Sequence, residues 1–317
     1  MADTIRTATR DAYGKALVEL GAQDEKLLVL DADLAAATKT GMFKKAYPDR
    51  FIDCSIAEAN MIGVAAGLAT AGYTVFASSF AMFAAGRAFE QIRNTLAYPH
   101  LSVKIGATHA GISVGEDGAS HQCCEDIGLM RTIPGMTILN PADDIEARLA
   151  VLAAAKAPGP VYMRFGRLAV PRVFDESYRF EIGKGVYLNE GADVTIIATG
   201  LLVERAIAAV ELLKSEGISA ALINMATIKP LDKEIVLDAA RKTGCIVTAE
   251  EHNVIGGLGS AVCECVAEST PVPVLRVGVE DTFGRSGPAL ELLEVFGLNA
   301  QNIAEKAKRA ITLKNKA

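Results

Sequence analysis

Apolar residues in the first half of the chain fall into short runs separated by longer segments with helical periodicity. Six runs rich in Val, Ile, Leu and Phe predict strands: "LLVLDAD", "FIDCSIAE", "TVFASS", "SVKIGATH", "MTILNPAD" and "PVYMRF". Continuous apolar runs that alternate with helices are typical of a parallel sheet covered on both faces. The pattern therefore predicts an α/β domain built on a doubly wound sheet.

A second series of the same kind follows a change in composition. From "PRVFDESYRFEIGKG" onward the chain is polar and irregular, which suits a linker. The strand pattern then resumes in "VTIIATG", "SAALINMAT", "CIVTAEEH" and "VPVLRVGV". We therefore predict two α/β domains with doubly wound sheets, at residues 1–172 and 191–317, joined by a linker at 173–190.

One long segment carries no charge and needs a second interpretation. Residues 59–86 contain no Asp, Glu, Lys or Arg, and a stretch of this length is long enough to span a bilayer. Gly72 interrupts it, however, and "TVFASSF" after that glycine has the composition of a strand. We predict a buried helix, a turn and a buried strand here, with no membrane partner.

Composition excludes some classes of function. The chain has 317 residues and a formal charge of −6, so it offers little basic surface for nucleic acid. Its charged N-terminus lacks the apolar core of a signal peptide, and its six cysteines include no C-x-x-C pair. We expect a cytoplasmic protein with reduced thiols.

Polar side chains follow the predicted strands of the first domain. Because ligands of doubly wound sheets bind at the carboxyl ends of the strands, these side chains could share one site. They are Asp33, Glu58, Ser79, His109 and Asn140.

Local sequence leaves the role of the strongest candidates open. Glu58 opens a helix, where an acid either favours the macrodipole or exchanges protons with a ligand. Phe80 and Phe83 are spaced to pack in a core or to present their rings to a flat ligand. His109 and His121 flank a turn-prone stretch, "GEDGASHQ", that matches no nucleotide-binding loop.

Together these segments resemble the transketolase family of thiamine diphosphate enzymes. The resemblance rests above all on "IDCSIAEANMIGVAAGLATAG", "SSFAMFAAGRAFEQIRN" and "IGATHAGISVGEDGASHQCCEDIGLMRTIPGMTILNPAD". Further matches lie in "ATRDAYGKALVELG", "PVYMRFGR" and "AEEHNVIGGLGSAV", so the resemblance covers nearly the whole chain. It implies a pyrimidine-binding domain followed by a transketolase C-terminal domain.

The family's front domain is not part of this resemblance. In the family that domain holds the diphosphate and its divalent metal through a G-D-G motif, and the sequence contains no G-D-G. The resemblance therefore implies one subunit of a split transketolase, completed by an N-terminal, diphosphate-binding subunit in an α2β2 heterotetramer. Thiamine diphosphate would be the cofactor, with Mg²⁺ or Ca²⁺ held by the partner and no metal ligand on this chain.

The resemblance also implies roles for individual residues in the transfer of a two-carbon ketol unit between sugar phosphates. Glu58 would bond the aminopyrimidine of the cofactor, with Phe80, Phe83 and Asp33 beside it. Asp117 would contact a sugar hydroxyl and His121 the oxygen of the reacting carbon. The substrate phosphate would be bound by Arg10, His109 and Arg164.

Two positions depart from the family pattern, and other functions stay open. Ala37 stands where the family has a phosphate-binding serine, and Gly86 where it has a third aromatic residue. Alternatives are a deoxyxylulose-phosphate synthase-like enzyme, the β-subunit of a 2-oxoacid dehydrogenase, and a transketolase variant for an unusual sugar. A non-catalytic regulatory subunit and a nicotinamide-binding domain are alternatives from other classes.

Overall fold

The computed structural model describes residues 5–316. In chain order its strands are β1 (Arg6–Ala8), β2 (Leu27–Asp31), β3 (Phe51–Asp53), β4 (Thr74–Phe80), β5 (Val103–Thr108), β6 (Thr137–Leu139), β7 (Val161–Arg164), β8 (Ala169–Pro171), β9 (Val186–Asn189), β10 (Val194–Ala198), β11 (Ala220–Asn224), β12 (Thr227–Lys229), β13 (Ile246–Asn253) and β14 (Val274–Val279). Each of the ten strands expected from the sequence is present.

The helices fill the intervals between these strands. They are α1 (Thr9–Gln23), α2 (Ala35–Thr38), α3 (Gly41–Ala46), α4 (Glu58–Thr70), α5 (Phe89–Gln91), α6 (Asp126–Arg131), α7 (Asp144–Lys156), α8 (Leu202–Ser215), α9 (Lys233–Thr243), α10 (Leu258–Ala267), α11 (Ala289–Val295) and α12 (Ala300–Lys314). Short 3₁₀ turns occur at Pro48–Arg50 and Ile112–Val114, and π-helical turns at Met82–Arg87 and Ile92–Ala97.

The first sheet has seven strands in the order β12-β6-β7-β5-β4-β2-β3. Strands β2 to β7 run parallel, whereas β12 pairs antiparallel with β6 at one edge. Helices α1 and α7 pack on one face, and α4 with the segment after β4 packs on the other. The expected doubly wound α/β architecture is confirmed. The edge strand β12 comes from the C-terminal half of the chain, so the predicted domain boundaries do not separate the two sheets completely.

The second sheet has five strands in the order β14-β13-β10-β11-β9, with only β9 antiparallel to its neighbour. Strand β9 lies inside the segment predicted as a linker, so that prediction is wrong for residues 186–189. The reason is that β9 is an edge strand whose apolar run, in "VYLN", is only three residues long and partly exposed. The remaining linker boundaries stay a prediction.

The uncharged segment folds as expected into helix α4, a turn at Gly72 and strand β4. Gly72 has φ +87°, a conformation that glycine adopts without strain. Among the described residues, no helix combines the length and the apolar character needed to cross a bilayer.

Candidate active site

Glu58 is the first residue of α4 and is only 3% exposed. Its Oε1 accepts a long hydrogen bond of 3.4 Å from the Ser79 hydroxyl at the end of β4. Its Oε2 lies 3.5 Å from Nη1 of Arg87, a residue that is largely exposed. A carboxylate has about four lone-pair positions, so Glu58 keeps acceptor capacity for a further donor.

Two phenylalanine rings stand beside this carboxylate. Phe80 ends β4 and Phe83 lies in the following π-helical turn, with ring centroids 5.9 Å apart and planes inclined by 13°. The Arg87 guanidinium lies over the Phe83 ring, 4.3 Å from its centroid. Arg87, which follows Gly86 in sequence, therefore covers the Phe83 ring.

Both histidines of the candidate motif join the phenylalanines in one ring cluster, which consists of Phe80, Phe83, His109 and His121. His109 stacks on Phe80 with a centroid distance of 3.8 Å. His121 meets Phe83 edge-on at 5.3 Å, and its Nδ1 is 2.9 Å from the Ser120 hydroxyl. Residues 29 to 41 positions apart in sequence therefore meet at the carboxyl ends of β4 and β5.

His109 is held in one tautomer. Nη1 of Arg10 donates to its Nε2 at 2.7 Å, so Nε2 is the acceptor and Nδ1 carries the proton toward the Thr108 hydroxyl, 2.9 Å away. Burial, together with the charges of Arg10, Arg167 and Lys39, lowers the pKa of His109 to about 3. The ring is neutral at physiological pH.

Three cations converge on this neutral ring and form what we call the basic cluster: Arg10, Lys39 and Arg167. Arg10 also donates to the carbonyl oxygen of Ala37 at 3.1 Å. Burial lowers the Arg10 pKa, and the charge of Arg167 contributes to that shift. The Nε of Arg10 is buried and has no partner in the part of the chain that the structure describes.

Local contacts bring these cations together from distant segments. The backbone N–H of Gly166 donates to the Thr9 hydroxyl at 2.9 Å, which joins the end of β7 to the start of α1. Lys39 adopts φ +71° and pairs with Asp11 of α1 at 3.2 Å. Each junction involves α1, the helix that carries Arg10.

Arg164 does not share the surroundings of Arg10 and His109, and its predicted phosphate role requires correction. Its guanidinium is 3% exposed and pairs with the fully buried Asp126 at 2.9 Å. It also donates to the carbonyl oxygens of Cys123 and Glu251 at 3.2 and 2.7 Å. Because these partners lie in both domains, the Arg164 side chain links the first domain to the second. The arginine whose charge acts on His109 alongside that of Arg10 is Arg167, which also contacts Glu116 at 3.2 Å.

Other predicted residues lie outside the ring cluster. Asp33, with φ +61°, and Asp117 are both exposed. Asn140 is buried between the domains, where its N–H donates to Ala226 at 2.7 Å and its carbonyl oxygen accepts from Thr199.

Sequence reasoning missed Asp31, which organises the loop after β2. This fully buried carboxylate accepts from the Leu34 N–H at 2.6 Å and from the hydroxyls of Thr38 and Thr40 at 2.7 and 2.8 Å. Burial raises its pKa to about 6, although these bonds oppose the shift. The bonds fix the turn that presents Lys39. The sequence signal that could have identified Asp31 is the pair of hydroxyl side chains seven and nine residues downstream, Thr38 and Thr40.

The segment that carries Asp117 and His121 forms a loop whose two ends are joined by a backbone hydrogen bond. We call residues 111–122 the histidine loop. Its ends meet where the Gly111 N–H donates to the Cys123 carbonyl oxygen at 2.8 Å. Inside the loop, the N–H groups of His121 and Gln122 both donate to Gly118 O at 3.0 Å. Such a closed loop presents His121 to the phenylalanines in a defined position.

The fold and the acid beside stacked rings define a class of protein, the thiamine diphosphate enzymes with a pyrimidine-binding domain. A family model described as "Transketolase, pyrimidine binding domain" matches residues 6–172. Another, described as "Transketolase, C-terminal domain", matches residues 183–303. The chain belongs to the transketolase family, whose members depend on thiamine diphosphate.

Individual relatives agree with this assignment. The "Putative transketolase C-terminal section" of Methanocaldococcus jannaschii is 52% identical over 300 residues, which is 94% of each chain. A "6-deoxy-6-sulfo-D-fructose transketolase subunit" of a Clostridium species is 45% identical over 96% of this chain and 95% of the relative. A solved structure described as "Split gene transketolase, inactive beta4 tetramer" superposes with a TM-score of 0.91 at 54% identity, covering 97% of this chain and 99% of that one. The expected family and the split-subunit type are confirmed.

Proposed function

We propose that this chain is the subunit of a split transketolase that carries the pyrimidine side of the cofactor site and the sugar phosphate site. The enzyme transfers a two-carbon ketol unit from a ketose phosphate to an aldose phosphate. The observation that carries the proposal is the adjacency of three features: a buried acid, stacked rings and a basic cluster. They occupy one edge of the first sheet.

The residues present fit the pyrimidine half of thiamine diphosphate. Glu58 is buried, yet it receives only two long contacts of 3.4 and 3.5 Å from the described residues. A ring nitrogen of the cofactor would share a proton with this carboxylate, which receives no strong donor from the described residues. The nearly parallel rings of Phe80 and Phe83 offer an apolar surface to a flat heterocycle. Bound thiamine diphosphate supplies carbanion stabilisation.

Each residue of the chain then has a defined task. Glu58 holds a proton at the aminopyrimidine, and exchange of that proton is the general acid–base step. His121, packed edge-on against Phe83, faces the oxygen of the reacting carbon. Asp117 is exposed on the histidine loop and is available to a sugar hydroxyl, and Asp33 stays a proposed neighbour of the cofactor.

The basic cluster binds the phosphate end of the substrate. Arginine forks pair well with phosphate oxygens, and the buried Nε of Arg10 still needs an acceptor. His109 is a neutral ring whose protonated Nδ1 is turned to Thr108, so it orients Arg10 and adds no charge. Lys39 supplies the contact that Ala37 cannot make. We therefore assign the phosphate to Arg10, Lys39 and Arg167, with His109 orienting Arg10, in place of the predicted set of Arg10, His109 and Arg164.

A second subunit completes this site. The chain matches the pyrimidine-binding and C-terminal domains of the family, and its sequence contains no G-D-G motif for the diphosphate. We propose that an N-terminal subunit holds the diphosphate and Mg²⁺ or Ca²⁺ in an α2β2 heterotetramer. The six cysteines are free thiols, which supports a reducing, cytoplasmic location.

The terminal anion of the sugar has a second candidate. One relative is named for 6-deoxy-6-sulfo-D-fructose, whose terminal group is a sulfonate. Three cations and Ala37 suit either anion, so a donor panel decides between them. The complex of both subunits is assayed with a ketose phosphate, the matching 6-sulfo ketose and hydroxypyruvate. The proposal expects the highest kcat/KM for the phosphate; preference for the sulfonate would establish the variant, and activity on none would overturn the function.

A further inference from the structure

We propose that Glu251, in the second domain, is a positioning residue that fixes the histidine loop of the first domain. The inference rests on the proposed function, because that loop carries Asp117 and His121. It gives the C-terminal domain a role in the reaction, although none of the substrate-facing residues lies in it.

Strand β13 holds three consecutive titratable residues in the protein interior. Glu250, Glu251 and His252 are each no more than 3% exposed, and charged groups are rarely buried without dedicated partners. Successive side chains of a strand point to opposite faces, so the two acids have different partners. Glu250 accepts from the N–H groups of Leu258 and Gly259 at 2.7 and 2.8 Å, at the start of α10.

Glu251 instead points into the first domain. Its Oε1 accepts from the backbone N–H of Ser113 at 2.6 Å. Its carboxylate also packs on Gly111, where an added Cβ would overlap it; this glycine has φ +82°. The charge of Arg164, beside the Glu251 backbone, favours the ionised carboxylate against the cost of burial. The first turn of the histidine loop is therefore built on this side chain.

The far end of the loop is held by the same domain. Nε2 of Gln122 donates to the carbonyl oxygen of Arg285 at 2.9 Å, and within the loop to those of Ile112 and Gly115 at 3.1 and 3.3 Å. Gly118 sits so close to Ser286 that a Cβ would lie 2.5 Å from its hydroxyl. Two segments of the second domain thus clamp a loop that belongs to the first.

Hydrogen–deuterium exchange of the isolated full chain tests the inference without any assay of activity. In Glu251→Ala, peptides covering residues 111–122 should exchange about tenfold to hundredfold faster, the equivalent of losing one hydrogen bond to a charged group. Glu251→Gln keeps an acceptor oxygen and should restore most of the protection. Glu250→Ala is the matched control, since it should loosen residues 256–259 and leave the histidine loop unchanged.

Gln122→Ala provides an independent variant if Glu251→Ala does not fold, because it releases the loop from Arg285 and should also speed its exchange. In the complex with the partner subunit, Glu251→Ala should lower kcat while the affinity for thiamine diphosphate is retained, and Glu251→Gln should recover kcat. Unchanged loop exchange in the alanine variants would overturn the positioning role. Absence of ketol transfer in the wild-type complex would instead overturn the proposed function and leave the exchange test valid.

Discussion

Arg10 and His109 are joined by a 2.7 Å hydrogen bond from Nη1 to Nε2, and burial together with the charges of three cations keeps this imidazole neutral. The pair joins the first turn of α1 to the end of β5, two elements 99 positions apart in sequence. Because the His109 ring is neutral, Arg10 keeps its full positive charge for a substrate anion. The hydrogen bond to the ring also fixes the orientation of the Arg10 guanidinium.

The depressed pKa of His109 predicts a specific dependence of stability on pH. The folded-state pKa is about 3, against 6.5 for an unperturbed histidine, so between these values the unfolded state binds more protons. His109 therefore contributes stability above about pH 6.5 that is lost as the pH falls toward 3.

We expect the free energy of unfolding to fall more steeply between pH 7.5 and pH 5 in the wild type than in His109→Asn. Asparagine tolerates the φ of +56° at this position. The slope due to one group is at most about 1.4 kcal/mol per pH unit. Urea unfolding at several pH values measures it, and equal slopes in both proteins would contradict the neutral histidine. The comparison with a variant is needed because Asp31, whose pKa is raised to about 6, acts in the opposite direction.

Two arginines three positions apart should respond differently to mutation. Arg167→Ala should raise KM for a sugar phosphate about tenfold to hundredfold and leave hydroxypyruvate nearly unaffected, since it removes a charge-assisted contact to the phosphate. Arg164→Ala should instead lower the free energy of unfolding by about 3–5 kcal/mol, because it leaves Asp126 buried and unpaired. Steady-state kinetics and urea unfolding separate the two effects. A stable Arg164→Ala protein with a defect confined to phosphorylated donors would restore the original assignment.

The turn that presents Lys39 should depend on the Asp31 network. Thr38→Val removes one of the two hydroxyls that donate to Oδ2 of Asp31, at a cost of about 1–3 kcal/mol of folding free energy. KM for the sugar phosphate should rise with little change in kcat, because Lys39 loses its fixed position. The exposed Thr70→Val is the control variant, since Thr70 bonds only its own helix. An unchanged KM in Thr38→Val would show that the hydrogen bonds of Asp31 do not contribute to phosphate binding.

Glu58 should be required for proton exchange at the cofactor. In the complex of both subunits, Glu58→Gln should lower kcat about 10²–10⁴-fold, the usual contribution of a general acid–base group. Hydrogen–deuterium exchange at the reactive carbon of bound thiamine diphosphate should slow in parallel. Glu90→Gln, which changes an exposed acid of α5, serves as the control. Normal exchange in Glu58→Gln would reduce Glu58 to a helix-start acid.

The sequence predicted the strands because they depend on local pattern, whereas the ligand-facing role of Phe80 and Phe83 was implied only by the family resemblance. Apolar runs identified the parallel strands, and the position after each strand placed Glu58, Ser79 and His109 at one edge of the sheet. The edge strand β12 could not be predicted in the same way. Its three residues, "TIK", follow β11 closely, and only tertiary contacts assign them to the first sheet.

The choice between Arg164 and Arg167 also depends on distant residues. Both follow the apolar residues of β7, and the local sequence does not distinguish their roles. What separates them is Asp126, which lies 38 positions from Arg164 and captures its guanidinium. Similarly, Asp31 and Asp33 share "DAD", but only Asp31 accepts hydrogen bonds from the hydroxyls of Thr38 and Thr40 among the described residues. The residue types at the strand ends predict that a site is present. The role of each residue follows only from its contacts in the folded structure.

The proposal that this chain is one subunit of a split transketolase is tested most directly by a ketol-transfer assay. The assay is run with and without an N-terminal, diphosphate-binding subunit. Each purified subunit and their mixture are assayed with a ketose phosphate donor, an aldose phosphate acceptor, thiamine diphosphate and Mg²⁺. We expect no turnover by either subunit alone and rapid transfer by the mixture. Transfer at full rate by this chain alone would contradict the proposal.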